Sequence, residues 1–240
     1  MTTATETMKL SSQTLDILKN FSSINSNILI KPGNKITTIS PVKNVVAETT
    51  VTETFSTEFG VWDLNKLLGT ISLFDDAAFS FSDKSMMISG KNASVEYYYC
   101  EPRLLTTLDR EIKMPDGVVN FELTQKQFQE IQKAASVLQL PDLCLRTKGD
   151  GMELVVLDKQ TATSNNYSID MGELPTGDHD FTFYFKVENL KLFPGDYTVT
   201  VSDSVVSQFT HKSIDLKYWI ALEADSVYNS WVKSCKQLIQ

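Results

Sequence analysis

Short runs in which every second residue is apolar recur along most of this chain, and they fix the kind of structure it can form. Thr50–Phe59, Ala78–Phe81, Met86–Gly90, Ser94–Cys100, Val118–Leu123, Met152–Leu157, Phe181–Val187, Tyr197–Val201 and Tyr218–Glu223 all carry this period. They are rich in Val, Thr, Tyr, Phe and Ile, which suit a pleated, half-buried surface. Lys31-Pro32-Gly33-Asn34, Pro115-Asp116-Gly117, Lys148-Gly149-Asp150-Gly151 and Pro194-Gly195-Asp196 supply turns between them. With 42% hydrophobic residues the chain can bury a core under such sheets.

Four segments follow the helical period instead. Ser11–Ile24 places Leu10, Thr14, Ile17, Phe21 and Ile24 on one face, with Ser11 as N-cap. Asp63–Phe74 carries a Leu64, Leu67, Leu68, Ile71 stripe and an Asp63 cap. Thr124–Leu138 turns Phe128, Ile131, Ala135 and Leu138 inward. Glu188–Phe193 is shorter and stops at Pro194.

Met8-Lys9-Leu10-Ser11 opens one of these helices as Phe121-Glu122-Leu123-Thr124 opens another, 113 residues later. At the same offset Leu15 meets Phe128 and Leu18 meets Ile131. The pattern suggests a duplicated α+β domain, while spacing alone leaves open a single domain with chance similarity. The expected organisation is an extension over 1–7, a first domain over 8–100, a connector over 101–117, a second domain over 118–226 and a tail over 227–240. In the tail Tyr228, Trp231, Val232, Cys235, Leu238 and Ile239 follow helical spacing.

The formal charge of −8 argues against nucleic-acid binding unless the cations are segregated from the acids. The helices show a trace of such segregation. Lys19, Lys66, Lys126 and Lys133 each lie opposite an apolar stripe, Lys191 falls in the short fourth segment, and Lys9 stands just before the first helix. Solvent-facing helix surfaces often carry lysine for solubility alone, and Asp16 and Glu130 lie near the same faces. Recurrence in both halves favours a functional reading. Single lysines make point-charge contacts with phosphate that carry no base information.

Other chemistries find little support. No catalytic residue is proposed: His179 and His211 have no evident nucleophile partner. Gly177-Asp178-His179-Asp180 and Asp75-Asp76 read as turns, so no metal or cofactor is expected. Phosphate-loop and HExxH motifs are absent. Cys100, Cys144 and Cys235 are odd in number and far apart, as in a reducing compartment. No apolar run approaches a membrane span, and Met1–Leu10 does not read as a secretion signal.

The stretches MKLSSQTLDILKNFSSINSNILI (Met8–Ile30), VWDLNKLLGTISLFDDA (Val61–Ala77), NLKLFPGDYTV (Asn189–Val199) and YWIALEADS (Tyr218–Ser226) complete the reading. Together they resemble the trimeric sliding clamps of large tailed bacteriophages. The resemblance implies an α+β DNA-clamp fold with two similar domains per chain, sheets outside and helices lining a ring pore. It implies a head-to-tail homotrimer in the host cell cytoplasm that encircles double-stranded DNA without reading sequence. Its implied partners are the phage DNA polymerase, a clamp loader and, in some relatives, late-transcription factors. Carried over by position, Lys9, Lys19, Lys66, Lys126, Lys133 and Lys191 would face DNA. Edge strands Ser94–Cys100 and Asn165–Met171, through Tyr97, Tyr99, Tyr167 and Ile169, would join subunits. Leu104, Leu105 and Ile112 would line a partner pocket. The alternative from another class is a β-rich viral structural or assembly protein.

Overall fold

Helical and alternating patterns resolve into three α-helices and sixteen strands among the described residues, which are 7–108, 110–173 and 179–230 of a computed structural model. The chain divides into two compact units. The first holds residues up to Glu111 with Lys191–Phe193 and Asp215–Lys217, and the second holds the rest.

The first unit runs α1 (Ser12–Ile24), β1 (Ile28–Ile30), β2 (Gly33–Ile39), β3 (Val45–Phe55), β4 (Phe59–Val61), α2 (Leu64–Ile71), β5 (Ala78–Phe81), β6 (Ser85–Ser89) and β7 (Ser94–Tyr98). Pairings are antiparallel: β1 with β4, β2 with β3, and a three-stranded sheet ordered β5-β6-β7. Ile17, Leu18, Phe21 and Ile24 of α1 are buried, as are Leu64, Leu67 and Ile71 of α2. Phe55, Phe59, Phe79, Met86 and Ile88 are among the buried residues of the strands. Phe59 stacks on Tyr99 with ring centroids 5.1 Å apart.

One carboxylate fixes how α1 enters this core. Strand β3 alternates strictly from Val51 to Phe55, so Glu53 shares the inward side with both and is 8% exposed. It accepts the Ser11 N–H and, at 2.7 Å, the Thr14 hydroxyl. A charge buried in apolar surroundings needs such partners. Burial pushes its pKa up, but the Ser11 and Thr14 bonds outweigh that and hold it below the ordinary glutamate value.

After a 3-10 turn at Pro102–Leu104 the second unit runs β8 (Val119–Leu123), α3 (Gln125–Leu138), β9 (Asp142–Lys148), β10 (Gly151–Leu157), β11 (Tyr167–Glu173), β12 (His179–Lys186), β13 (Tyr197–Val201), β14 (Val206–His211), β15 (Leu216–Ala221) and β16 (Val227–Ser230). One sheet has the order β11-β10-β9-β12-β16, and β15, β14, β13 and β8 lie side by side in another. Thr124 and Gln127 close a full capping box at the start of α3, and Phe128, Ile131 and Ala135 form its buried stripe. Glu153, 4% exposed, is held by Arg146 and Lys148 on the facing strand β9.

Two sequence expectations are corrected. Glu188–Phe193 is not an α-helix: only Val187–Asn189 turns, as a 3-10 segment, because six residues ending at a proline cannot repay helix nucleation. The helical spacing expected from Tyr228 onward is also not followed at its start. Val227–Ser230 is strand β16, paired antiparallel with β12, and Tyr228 stacks on Phe183 at 6.3 Å. Trp231, Val232, Cys235, Leu238 and Ile239 lie outside the described residues, as do Gly177 and Asp178.

Candidate nucleic-acid interface

The three helices hold four lysines, Lys19, Lys66, Lys126 and Lys133, against two carboxylates, Asp16 and Glu130. A chain of net charge −8 is therefore net positive on its helices. All four lysines are exposed, and the residues around them are mostly neutral and polar: Gln13 and Asn20 on α1, Asn65 on α2, Gln125, Gln129 and Gln132 on α3.

Where the lysines stand on the helices is more informative than their number. Lys66 and Lys126 occupy the first turns of α2 and α3, where unsatisfied N–H groups create positive potential and acids are favoured. None of the three helices has an acid in its first turn or a base in its last. Carboxylates outside the helices offset part of this at α2, where the Asp63 cap bonds the Lys66 N–H at 2.9 Å, and at α3, where Asp196 accepts the Gln125 N–H at 2.7 Å. Helix stability alone would arrange these charges the other way round.

The remaining two candidates differ. Lys9 precedes α1 and pairs with Asp76. Lys191 lies on no helix, and its amine donates at 2.5 Å to the Ser23 carbonyl in the last turn of α1, while Asn20 donates to the Lys191 carbonyl at 3.0 Å. Lys191 thus supplies a cation to a helix end that has none of its own. Its expected presentation on a fourth helix is not met.

The two strands expected at a subunit contact are both sheet edges, β7 in its sheet and β11 in its own. Along β7 the Tyr99 N–H bonds the Lys84 carbonyl beside β6, whereas the Cys100 N–H points away, to Gly60. By alternation the backbone groups of Ser94, Glu96 and Tyr98 also point away from β6. The tyrosines sort by the same period. Tyr97 and Tyr99 turn inward, the first bonding the Asp63 carbonyl at 3.2 Å, the second buried enough to push its pKa up to about 12. The outward aromatic is Tyr98, 67% exposed, with Trp62 at 60% elsewhere on the unit; sequence reading passed over both. On β11 Tyr167 is exposed and Ile169 half-buried.

The three expected pocket residues do not share one environment. Leu105 is buried, with its Cδ1 2.7 Å from where a Cβ on Gly60 would stand, and the Cys100 carbonyl oxygen, 2.5 Å from the same point, is what requires a glycine there. Leu104 is 59% exposed, and Ile112 belongs to the second unit. Among the described residues no group of His, Cys, Asp and Glu could hold a metal ion. The His211 ring is committed to structure, its Nδ1 accepting the Ser213 and Ile214 N–H groups. Burial pushes the Cys144 thiol up to about 12. No helix among the described residues is long and apolar enough to cross a membrane.

Comparison with known proteins decides the family. Residues 9–100 match the DNA polymerase processivity factor model and residues 120–224 match the model of the gp45 sliding clamp, C terminal. The sliding clamp of Vibrio phage KVP40 is 30% identical over 223 residues, covering 90% of this chain and all of the relative. The chain belongs to the sliding-clamp family. The sliding clamp of Escherichia phage RB69 is 29% identical across 92% of the chain and all of that protein. Among solved structures, the Entamoeba histolytica proliferating cellular nuclear antigen superposes with a TM-score of 0.63 at 13% identity, covering 87% of this chain and 94% of that one. The A. fulgidus PCNA, solved with the C-terminal region of FEN-1, gives 0.67 at 12%, covering 92% and 98%. These structures show the two-domain clamp fold expected from the sequence. The chain is a DNA polymerase sliding clamp, and the structural or assembly alternative is not favoured.

Proposed function

We propose that this clamp works as a homotrimeric ring around double-stranded DNA, held by topology and not by grip. Lys19, Lys66, Lys126 and Lys133 face the duplex, Lys9 and Lys191 stand at the margin, and the acidic remainder keeps DNA off the outer surface. The observation that carries this reading is the placement of Lys66 and Lys126 in first turns where helix stability disfavours them. An external polyanion accounts for that placement, and solubility does not single out those positions.

The open edges β7 and β11 join neighbouring subunits by strand addition, which removes two aggregation-prone edges at once. Tyr98 and Tyr167 are the outward aromatics at that contact, with Ile169 beside Tyr167, while Tyr97 and Tyr99 support it from inside. Phage polymerase, a clamp loader and late-transcription factors dock through exposed Leu104, with buried Leu105 as its support, and Ile112 of the second unit is a separate candidate contact. The ring performs no catalysis, and a loader supplies any nucleotide hydrolysis. It acts in the host cell cytoplasm.

The deciding experiment loads the protein onto nicked circular DNA and then linearises the circle. Retention on circles with loss from free ends, by a species of trimeric mass, is the expected result. Equal loss from both forms, or a monomeric mass, would reject encirclement.

A further inference from the structure

The lysines of α3 are accompanied by a carboxylate whose position the helix itself does not require. Lys126, Glu130 and Lys133 follow one another at spacings of four and three, so they are neighbours on one solvent-facing strip. The Glu130 Oε1 stands 4.0 Å from the Lys126 amine, with the lysine side chain 86% exposed and the glutamate 41%. Lysine before glutamate at this spacing is the weaker order for helix stability. The carboxylate also lies beyond the first turn, where it would have complemented the helix dipole. Nor is a carboxylate needed for space or solubility, because Gln125, Gln127, Gln129 and Gln132 place its neutral isostere four times on the same helix.

We infer that Glu130 is a built-in competitor for phosphate that keeps α3 from gripping the duplex. A phosphate approaching Lys126 meets an amine whose charge is partly offset by a carboxylate 4.0 Å away, and is repelled by that anion. Lys133, one turn along, feels the same neighbour. Each contact is shallow and quickly exchanged, which is the electrostatic condition for low-friction movement along DNA. On α1 the same device recurs in outline, with exposed Asp16 three residues before exposed Lys19.

This inference rests on the reading of α3 as DNA-facing, and two variants of the full chain separate the two claims. Glu130→Gln keeps shape and helix propensity. Its binding to a short linear duplex is titrated with potassium chloride, and its diffusion on circular DNA is followed after loading. The expected slope of log K against log salt is steeper by about 0.9 per subunit, one added phosphate contact, and diffusion is slower. The thermal midpoint stays put. The companion, Lys126→Gln with Lys133→Gln, should weaken duplex binding and flatten the slope. If the companion does so while Glu130→Gln changes neither slope nor diffusion, the competitor role is refuted and the DNA-facing reading survives. If the companion binds like the unmodified protein, both fail.

Discussion

Replacing Glu53 should reveal how strongly one buried carboxylate holds the first lysine-bearing helix in place. In Glu53→Ala the buried Thr14 hydroxyl and the part-buried Ser11 N–H both lose their acceptor. A buried donor left unsatisfied costs roughly 1–3 kcal/mol, and hydrogen bonds to charged groups lie at the upper end. Two such losses, not fully additive, give about 3 kcal/mol. For a chain of this size that lowers the unfolding midpoint by roughly 6–12 °C. The same group makes a pH prediction. Its folded pKa lies below its ordinary value, so its contribution is complete above the unfolded glutamate pKa, about 4.3. That contribution fades as pH falls through the lower, folded value. Differential scanning calorimetry from pH 7 to pH 3 should show the unmodified protein losing this increment on acidification and Glu53→Gln lacking it. A midpoint within 1–2 °C of the unmodified protein for Glu53→Ala at pH 7, by about the scatter of the method, would refute the hydrogen-bond argument.

Other outcomes can be stated more briefly. Replacing Lys19, Lys66 and Lys133 together by Ala should reduce the salt dependence of duplex binding by roughly 2.7 slope units per subunit, read by fluorescence anisotropy, with helicity retained or raised. Glu96→Pro should leave the β6–β7 ladder paired, since the Glu96 N–H points outward, yet block the proposed strand addition; light scattering should report a mass below that of the proposed trimer. Lys159 ties Asp225 at 2.7 Å and Glu223 at 3.4 Å just before β16, so Lys159→Ala should speed amide exchange at Val227–Asn229 without lowering the main unfolding transition by more than about 1 kcal/mol.

Long amphipathic segments were legible in the sequence because one physical rule governs each. Ser11 and Asp63 were readable as caps, and the stripes of α1, α2 and α3 as buried faces, since local bonds and a 3.6 period suffice. Strands β2, β9 and β14 were not anticipated. Polar residues occupy inward positions in β2 (Thr38) and β14 (Ser207 and His211), which hides their apolar period, and Asp142–Leu145 is a continuous buried run with no alternation to detect. The tail misled because Tyr228 satisfies either period over a few residues, and pairing with β12 selected the strand. Within the candidate site the lysines were visible, but Lys191 was misplaced because a short segment before a proline was credited with a full helix. Sequence alone shows that Tyr97 and Tyr98 face opposite sides but not which of them is the outward one. Period two puts one of them inward, and only register decides which.

The first-turn lysines carry a warning for anyone who tries to make this protein tougher. Exchanging Lys66 for glutamate would complement the helix dipole and should raise the protein's melting point, while at Lys126 the same gain is offset by repulsion from Glu130 four residues on. A heat-based screen would therefore collect such variants early, and under the DNA-facing role proposed above they would have discarded a cation that role depends on.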